Sequence, residues 1–157
     1  MKIVKAFVLG VIVAANIYAA DPLVGTWKLN LQKSKLPPQL DVTEIVLTFE
    51  ATAPDSLRRT EEFTRKNGEK TRAVITLVLD GKEHTAMERL TGKEGPGRTA
   101  NFRRTDERHI VGVFKTGGRE TGTNAYTLSD DGKTLTSIRR QTGADNQPDE
   151  TDVFERQ

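Results

Sequence analysis

The two histidines have the most versatile chemistry in this chain, because imidazole serves both as an acid–base catalyst and as a metal ligand. His84 lies four residues before Glu88, a spacing that separates two side chains on a β-strand by about 13 Å. His109 would have to meet His84 from another strand, and the chain has no cysteine to complete a ligand set. The sequence therefore predicts no metal site and no cofactor.

The serines and the paired carboxylates lack the surroundings that catalysis requires. No serine is flanked by the glycines of a nucleophile elbow. Glu61 and Glu62 would point to opposite faces of a strand, and Asp130-Asp131-Gly132 has the composition of a hairpin turn. We predict no catalytic residue. A barrel hydrolase or isomerase stays open as a hypothesis, and it requires a strongly perturbed histidine or carboxyl group inside a cavity.

Three arginine doublets supply cations that a ligand could contact. They are Arg58-Arg59, Arg103-Arg104 and Arg139-Arg140. In a strand, alternation sends one member of each doublet to each face. Arg59 shares its face with Leu57 and Phe63, and Arg139 shares its face with Leu135. These two arginines are therefore predicted to point inward.

Tyr126 shares a strand face with Asn124 and is predicted to bring a hydroxyl group into the same interior. Arg59, Tyr126 and Arg139 are accordingly the candidate ligand-binding residues. The alternative is that the inward arginines form salt bridges at the mouth of a barrel, with acidic residues such as Glu61.

The first 20 residues have the three parts of an export signal. Two lysines precede the unbroken apolar run Ala6–Ala15, and small residues allow cleavage after Ala19 or Ala20. The apolar run is shorter than the roughly 20 residues that cross a bilayer. We therefore expect 1–20 to be a signal peptide, and 21–157 to be a secreted or periplasmic domain without a membrane span.

The composition of residues 21–157 limits the function further. They hold 22 Lys and Arg against 22 Asp and Glu, and this neutrality argues against nucleic acid as a partner. Only 39 of the 137 residues are hydrophobic, although a domain of this size must bury most of its chain. A partly polar interior is therefore expected, and a barrel with an internal cavity would provide one.

Turn signals and alternating apolar residues predict strands throughout residues 21–157. The turn signals are Asn67-Gly68, Asp80-Gly81, Gly117-Gly118 and Asp131-Gly132. Strands are predicted at Val24–Leu31, around Ile45–Phe49, Leu57–Phe63 and Ala73–Leu79, and at Lys82–Thr91, Arg98–Arg104, Arg108–Lys115, Arg119–Ser129, Lys133–Thr142 and Asp149–Arg156. The fold class is thus all-β, a single antiparallel up-and-down β-barrel or closed meander of about 8–10 strands.

Both ends of this domain resemble a known superfamily. Gly25-Thr26-Trp27 resembles the opening of the calycins, the lipocalins and the intracellular fatty-acid-binding proteins, in which Gly-x-Trp closes one end of the barrel. Val153–Arg156 is similar to the final strand of the fatty-acid-binding branch, which pairs with the first strand. The resemblance implies that Gly25 and Trp27 close one end of the barrel, where Arg156 would complete the closure by a cation–π contact with the Trp27 ring. The alternative is that Trp27 stacks on a ring of a bound ligand.

Two features depart from the fatty-acid-binding branch. That branch has a helical lid after the first strand, whereas Pro37-Pro38 forbids a helix here. It also recognises a carboxylate with Arg-x-Tyr, and the matching residues appear as Asp152 and Phe154. The fatty-acid assignment is therefore not carried over, and a lipocalin-like secreted protein fits better.

Two functions are consistent with these observations. The first is a secreted or periplasmic protein that holds a small hydrophobic or amphipathic ligand in the barrel cavity. The alternative is an envelope-associated protein-interaction module with a filled barrel, no ligand and an outer face rich in threonine and charge.

Expression of the full chain in a secreting host is expected to release a polypeptide that begins at Ala20 or Asp21, because signal peptidase cleaves after small residues. Intact-mass measurement of the released protein checks this. Recovery of a product that still carries Met1 would contradict the export signal.

Overall fold

A computed structural model describes residues 21–38, 40–86, 88–89, 98–143 and 149–157. The predicted signal peptide lies outside these ranges, as do Leu90 and Thr91. The described residues form eleven strands: β1 Gly25–Leu29, β2 Val42–Ala53, β3 Ser56–Arg65, β4 Lys70–Val78, β5 Asp80–Thr85, β6 Glu88–Arg89, β7 Arg98–Asp106, β8 His109–Thr116, β9 Arg119–Leu128, β10 Thr134–Gln141 and β11 Glu150–Arg156. Among them is no helix of the length and hydropathy that crossing a membrane requires.

The strands form one antiparallel sheet in the order β5-β7-β8-β9-β10-β11-β1-β2-β3-β4-β6. The first strand pairs with the last, Trp27 opposite Arg156, which joins the two halves of the meander. Because β4 also packs beside β5 and β7, the sheet curls into a nearly closed barrel. This confirms the predicted all-β, single antiparallel up-and-down architecture.

Three of the four predicted turns connect paired neighbours: Asn67-Gly68, Gly117-Gly118 and Asp131-Gly132. Asp80-Gly81 was expected to be a fourth hairpin, and that prediction is wrong. The Asp80 carboxylate instead accepts a hydrogen bond from the Lys82 backbone N–H at 2.8 Å. The chain turns a corner there, since β5 pairs with β7 and β4 pairs with β3.

The predicted strand Lys82–Thr91 is also corrected. Its first part belongs to β5, whereas Glu88–Arg89 forms β6 and pairs with β4 at the other edge of the sheet. A single strand would need one continuous partner. Here the chain passes from one edge of the sheet to the other between Thr85 and Glu88.

One end of the barrel is closed by Trp27, which is fully buried. Its indole N–H donates a hydrogen bond to the Leu23 carbonyl oxygen at 2.9 Å. The Arg156 guanidinium lies 4.0 Å from the centre of the ring. That guanidinium also donates hydrogen bonds to the carbonyl oxygens of Pro22, Val24 and Gly132. Gly25 permits this approach, because a Cβ there would lie 2.8 Å from the guanidinium.

A second glycine shapes the core above this plug. Gly112 on β8 faces Phe102 on β7 across the strand pair. A Cβ on Gly112 would lie 2.2 Å from the Phe102 ring, which is itself buried and edge-on to Phe114. The ring of Phe102 therefore occupies the space that any larger residue at position 112 would need.

Gly112→Ala is expected to lower the free energy of unfolding by about 1–3 kcal/mol, because the added methyl group overpacks the core. Phe102→Leu makes room for that methyl group, so the double variant should lose less stability than the sum of the single variants. Urea denaturation followed by circular dichroism measures all three variants. Additive losses would show that the two positions do not compete for space.

Candidate ligand-binding cavity

A cavity of about 550 Å³ opens at the end of the barrel opposite Trp27. An adjoining cavity of about 430 Å³ shares four of its lining residues. The shared residues are Pro37, Phe114, Arg139 and Glu150. Pro37 and Leu40, from the connection between β1 and β2, line the first of these cavities. The connection contains no helix among its described residues, in agreement with the predicted absence of a helical lid.

The inward residues of strand β3 show how the interior changes from apolar core to polar cavity along the barrel axis. They are, in order, Leu57, Arg59, Glu61, Phe63 and Arg65. Leu57 belongs to the solid apolar core, whereas the other four line the cavity. The cavity therefore has a polar floor made by the arginine and the glutamate, with the phenylalanine in its wall.

Arg59 and Glu61 form the first half of this floor. One guanidinium nitrogen, Nη2, donates a hydrogen bond to Glu61 Oε2 at 2.7 Å, and Nη1 donates to the Tyr126 hydroxyl oxygen. The Asn124 amide also donates to that hydroxyl, at 2.9 Å, and accepts a hydrogen bond from Ser137. Strands β3, β9 and β10 are thus joined by side chains across the inside of the barrel.

Arg139 organises the second half. Its Nη2 donates to Glu150 Oε1 at 2.6 Å and to Asp152 Oδ2 at 2.7 Å. Glu150 lines the cavity, and Asp152 is 1% exposed. Three buried polar atoms in the two halves have no hydrogen-bond partner among the described residues: Arg59 Nε, Arg139 Nε and Asp152 Oδ1.

Burial controls the protonation of this floor. It raises the pKa of Glu150 and of Asp152, and repulsion from Glu61 adds to the effect on both, although Arg139 opposes it. For Arg59, burial alone would lower the pKa, but Tyr126 and Glu61 raise it above the usual range. The pKa of Arg139 is likewise raised by Asp152, Glu61 and Glu150 against burial. Both arginines therefore stay charged.

The structure brings the three candidate ligand-binding residues to the interior. Arg59 and Arg139 line the cavity, and Tyr126 lies beside Arg59 with its ring edge-on to Phe49 at 5.7 Å. Both arginines also form salt bridges with carboxylates, the arrangement that stood as the alternative.

The acidic partners of Arg139 were missed as site residues. Alternation along β11 puts Glu150, Asp152 and Phe154 on one face. This alternation is the sequence signal that could have predicted inward-pointing carboxylates on the last strand. Asp152 and Phe154 stand where the fatty-acid-binding branch would have its arginine and tyrosine, and both are buried. An arginine and a tyrosine do meet inside this barrel, but on other strands: Arg59 of β3 donates a hydrogen bond to the hydroxyl of Tyr126 of β9.

The two histidines lie away from this floor. His84 contacts Asp80 at 3.0 Å, and His109 contacts Asp106 at 2.7 Å, each partly exposed. Among the described residues, no group of three or more histidine or acidic side chains is arranged to hold a metal ion.

Glu150 and Asp152 satisfy one requirement of the enzyme hypothesis, a perturbed carboxyl group near a cavity. Structural ion-pair networks perturb carboxyl groups in the same way, and here Arg139 holds both of them. The nearby Ser137 hydroxyl donates its hydrogen bond to Asn124 and therefore has no base.

No protein-family model matches this sequence, and no curated protein sequence matches it. Solved structures of the fluorescent protein UnaG are similar in fold. An alanine variant of UnaG superposes with a TM-score of 0.58 at 17% identity, covering 87% of this chain and 96% of that one. Wild-type UnaG superposes with a TM-score of 0.55 at 18% identity, covering 87% of this chain and 98% of that one. A glutamine variant superposes with a TM-score of 0.58 at 18% identity, covering 87% of this chain and 96% of that one. These similarities show that the chain shares the fold of UnaG.

Asp152→Asn is expected to change how stability depends on pH. The folded protein holds the Asp152 proton more tightly than the unfolded chain, since its pKa is raised above 3.8. Its contribution to stability is therefore lost as the pH rises from about 4 through the folded pKa. The difference in unfolding free energy, wild type minus variant, should fall over this range in urea titrations.

The control is Asp149→Asn, because Arg140 lowers the pKa of this exposed carboxyl group. Here the difference between wild type and variant should rise with pH below about 4 and stay level above it. Equal pH profiles for the two variants would contradict the assignment of the buried carboxyl group.

Proposed function

We propose that the protein binds a small, partly apolar molecule in the cavity at the open end of the barrel. The observation that carries this proposal is a cavity of about 550 Å³ with a built polar floor. Small-molecule sites commonly measure roughly 300–1,000 Å³ and combine apolar walls with a few placed polar groups. The side chains of Leu40, Phe63, Ile75 and Phe114 provide the apolar walls here.

The division between walls and floor indicates an amphipathic ligand. An apolar molecule would leave the polar floor without water or partners, which is costly for buried hydrogen-bonding groups. A fully polar molecule would gain nothing from Phe63 and Phe114. The calycin-like fold supports the same proposal, since the fatty-acid-binding branch of that superfamily holds its ligands inside the barrel.

We also propose that the protein acts outside the cytoplasm. The support is the sequence alone. Two lysines precede the apolar run Ala6–Ala15, and a small-residue cleavage site follows it. In this setting the protein would be a carrier or scavenger of its ligand.

The outer surface offers less to a protein partner. Leu31 and Ile138 are the large hydrophobic side chains exposed among the described residues, and they do not form the apolar patch that marks many interfaces. The interaction module further required a filled barrel, whereas this barrel contains open space. Ligand binding is therefore the function that we favour.

Native mass spectrometry tests the proposal on protein purified gently from its own envelope fraction, beside a denatured control. We expect an additional mass that disappears on denaturation. Ala73→Phe, which fills the cavity from β4, should lower the bound fraction about tenfold or more, equivalent to a loss of at least 1.4 kcal/mol of binding. Thr76→Phe adds the same ring to the exposed face of β4 and should retain the ligand.

Two results would count against ligand binding. One is an exact match of the native mass to the bare chain in repeated preparations. The other is equal loss of the additional mass in both phenylalanine variants, because that loss could not come from filling the cavity.

A further inference from the structure

The cavity floor contains more carboxylates than cations. Glu61 pairs with Arg59, whereas Glu150 and Asp152 share Arg139. Three carboxyl groups thus face two guanidinium groups, and one of the three has no cation of its own. The mutual repulsion of the carboxylates is part of the electrostatics of the site.

Glu61 has a free acceptor in this floor. It is 4% exposed and lines the cavity. Its Oε2 accepts the hydrogen bond from Arg59, and no donor reaches its Oε1 from any described residue. This oxygen is not among the buried atoms without a partner, so it is accessible from the cavity, where a donor on a ligand can bind it.

The cations at the rim do not reverse this balance. Arg65 and Arg72 also line the cavity, but Arg72 is exposed, and the Arg65 side chain is 40% exposed and lies 3.9 Å from Glu69. Water and salt screen charges in such positions. The Arg59 and Glu61 side chains are only 12% and 6% exposed, so their charges act more strongly on a ligand.

We propose, on the basis of the ligand-binding function above, that the ligand presents a protonated nitrogen group, such as an ammonium or amidinium, to Glu61 and Glu150. This group supplies the missing positive charge and the missing donor. The apolar part of the ligand then packs against Phe63 and Phe114. A carboxylate in the same place would meet two like charges.

Isothermal titration of the wild-type protein with decylamine, decanol and decanoate tests this at pH 7, below the concentrations at which the probes form micelles. The three probes share one chain and differ in the head group. Decylamine, which is protonated at this pH, should bind at least about tenfold more tightly than decanoate, as charge-assisted hydrogen bonding favours it. Decanol should lie between them.

The outcomes separate the inference from the proposed function. If decanoate binds as tightly as decylamine, or more tightly, the cavity is a ligand site but the inference about its head group is wrong. Failure of all three probes to bind would overturn both.

The variant Glu150→Gln tests whether this carboxylate causes the preference for decylamine. It should reduce the preference for decylamine over decanol by about tenfold, and circular dichroism confirms folding. Glu155→Gln makes the same change on the opposite, exposed face of β11 and should leave the preference unchanged. Glu61→Gln is a second variant, which leaves Arg59 unpaired and should also raise the affinity for decanoate. Unchanged preference in both cavity variants would overturn the assignment.

Discussion

The two inward-pointing arginines, Arg59 and Arg139, impose the condition on which the barrel interior depends. A guanidinium group inside a β-barrel is tolerated only where carboxylates or other acceptors face it. Arg59 meets that condition through Glu61 on its own strand and Tyr126 on β9, and Arg139 meets it through Glu150 and Asp152 on the neighbouring strand β11. A chain with few apolar residues can therefore fill its middle layer with charge and still remain folded.

This ionic layer divides the molecule into two functional halves. Below it, Trp27, Phe49, Phe102 and Phe154 pack in a solid core, so that stability depends mainly on this half. Above it, the strands enclose open space, and side chains can face a ligand without being needed for the core. The division explains how one short domain supplies both a stable scaffold and a cavity.

Alternation along the strands was sufficient to predict the fold class and the inward side of Arg59, Tyr126 and Arg139. The local pattern also suggested Glu61, two residues along the strand, as a partner for Arg59. It could not predict that Glu150 and Asp152 would meet Arg139, because those partners come from another strand and depend on register. Asp152 was matched only to a family position and its role in the ion pair was overlooked. The corner at Asp80 was misread because an Asp-Gly pair also fits a hairpin, and only long-range pairing distinguishes the two.

The position of Trp27 has a spectroscopic consequence. It is the only tryptophan in the chain, it is fully buried, and it lies under Arg156 at the end of the barrel opposite the cavity. Trp27 lines neither cavity, so a ligand bound there would not contact the indole, and its emission reports on the closed end. Intrinsic fluorescence can follow unfolding of this protein in the presence of any ligand, without the ligand contributing to the signal through contact with the indole.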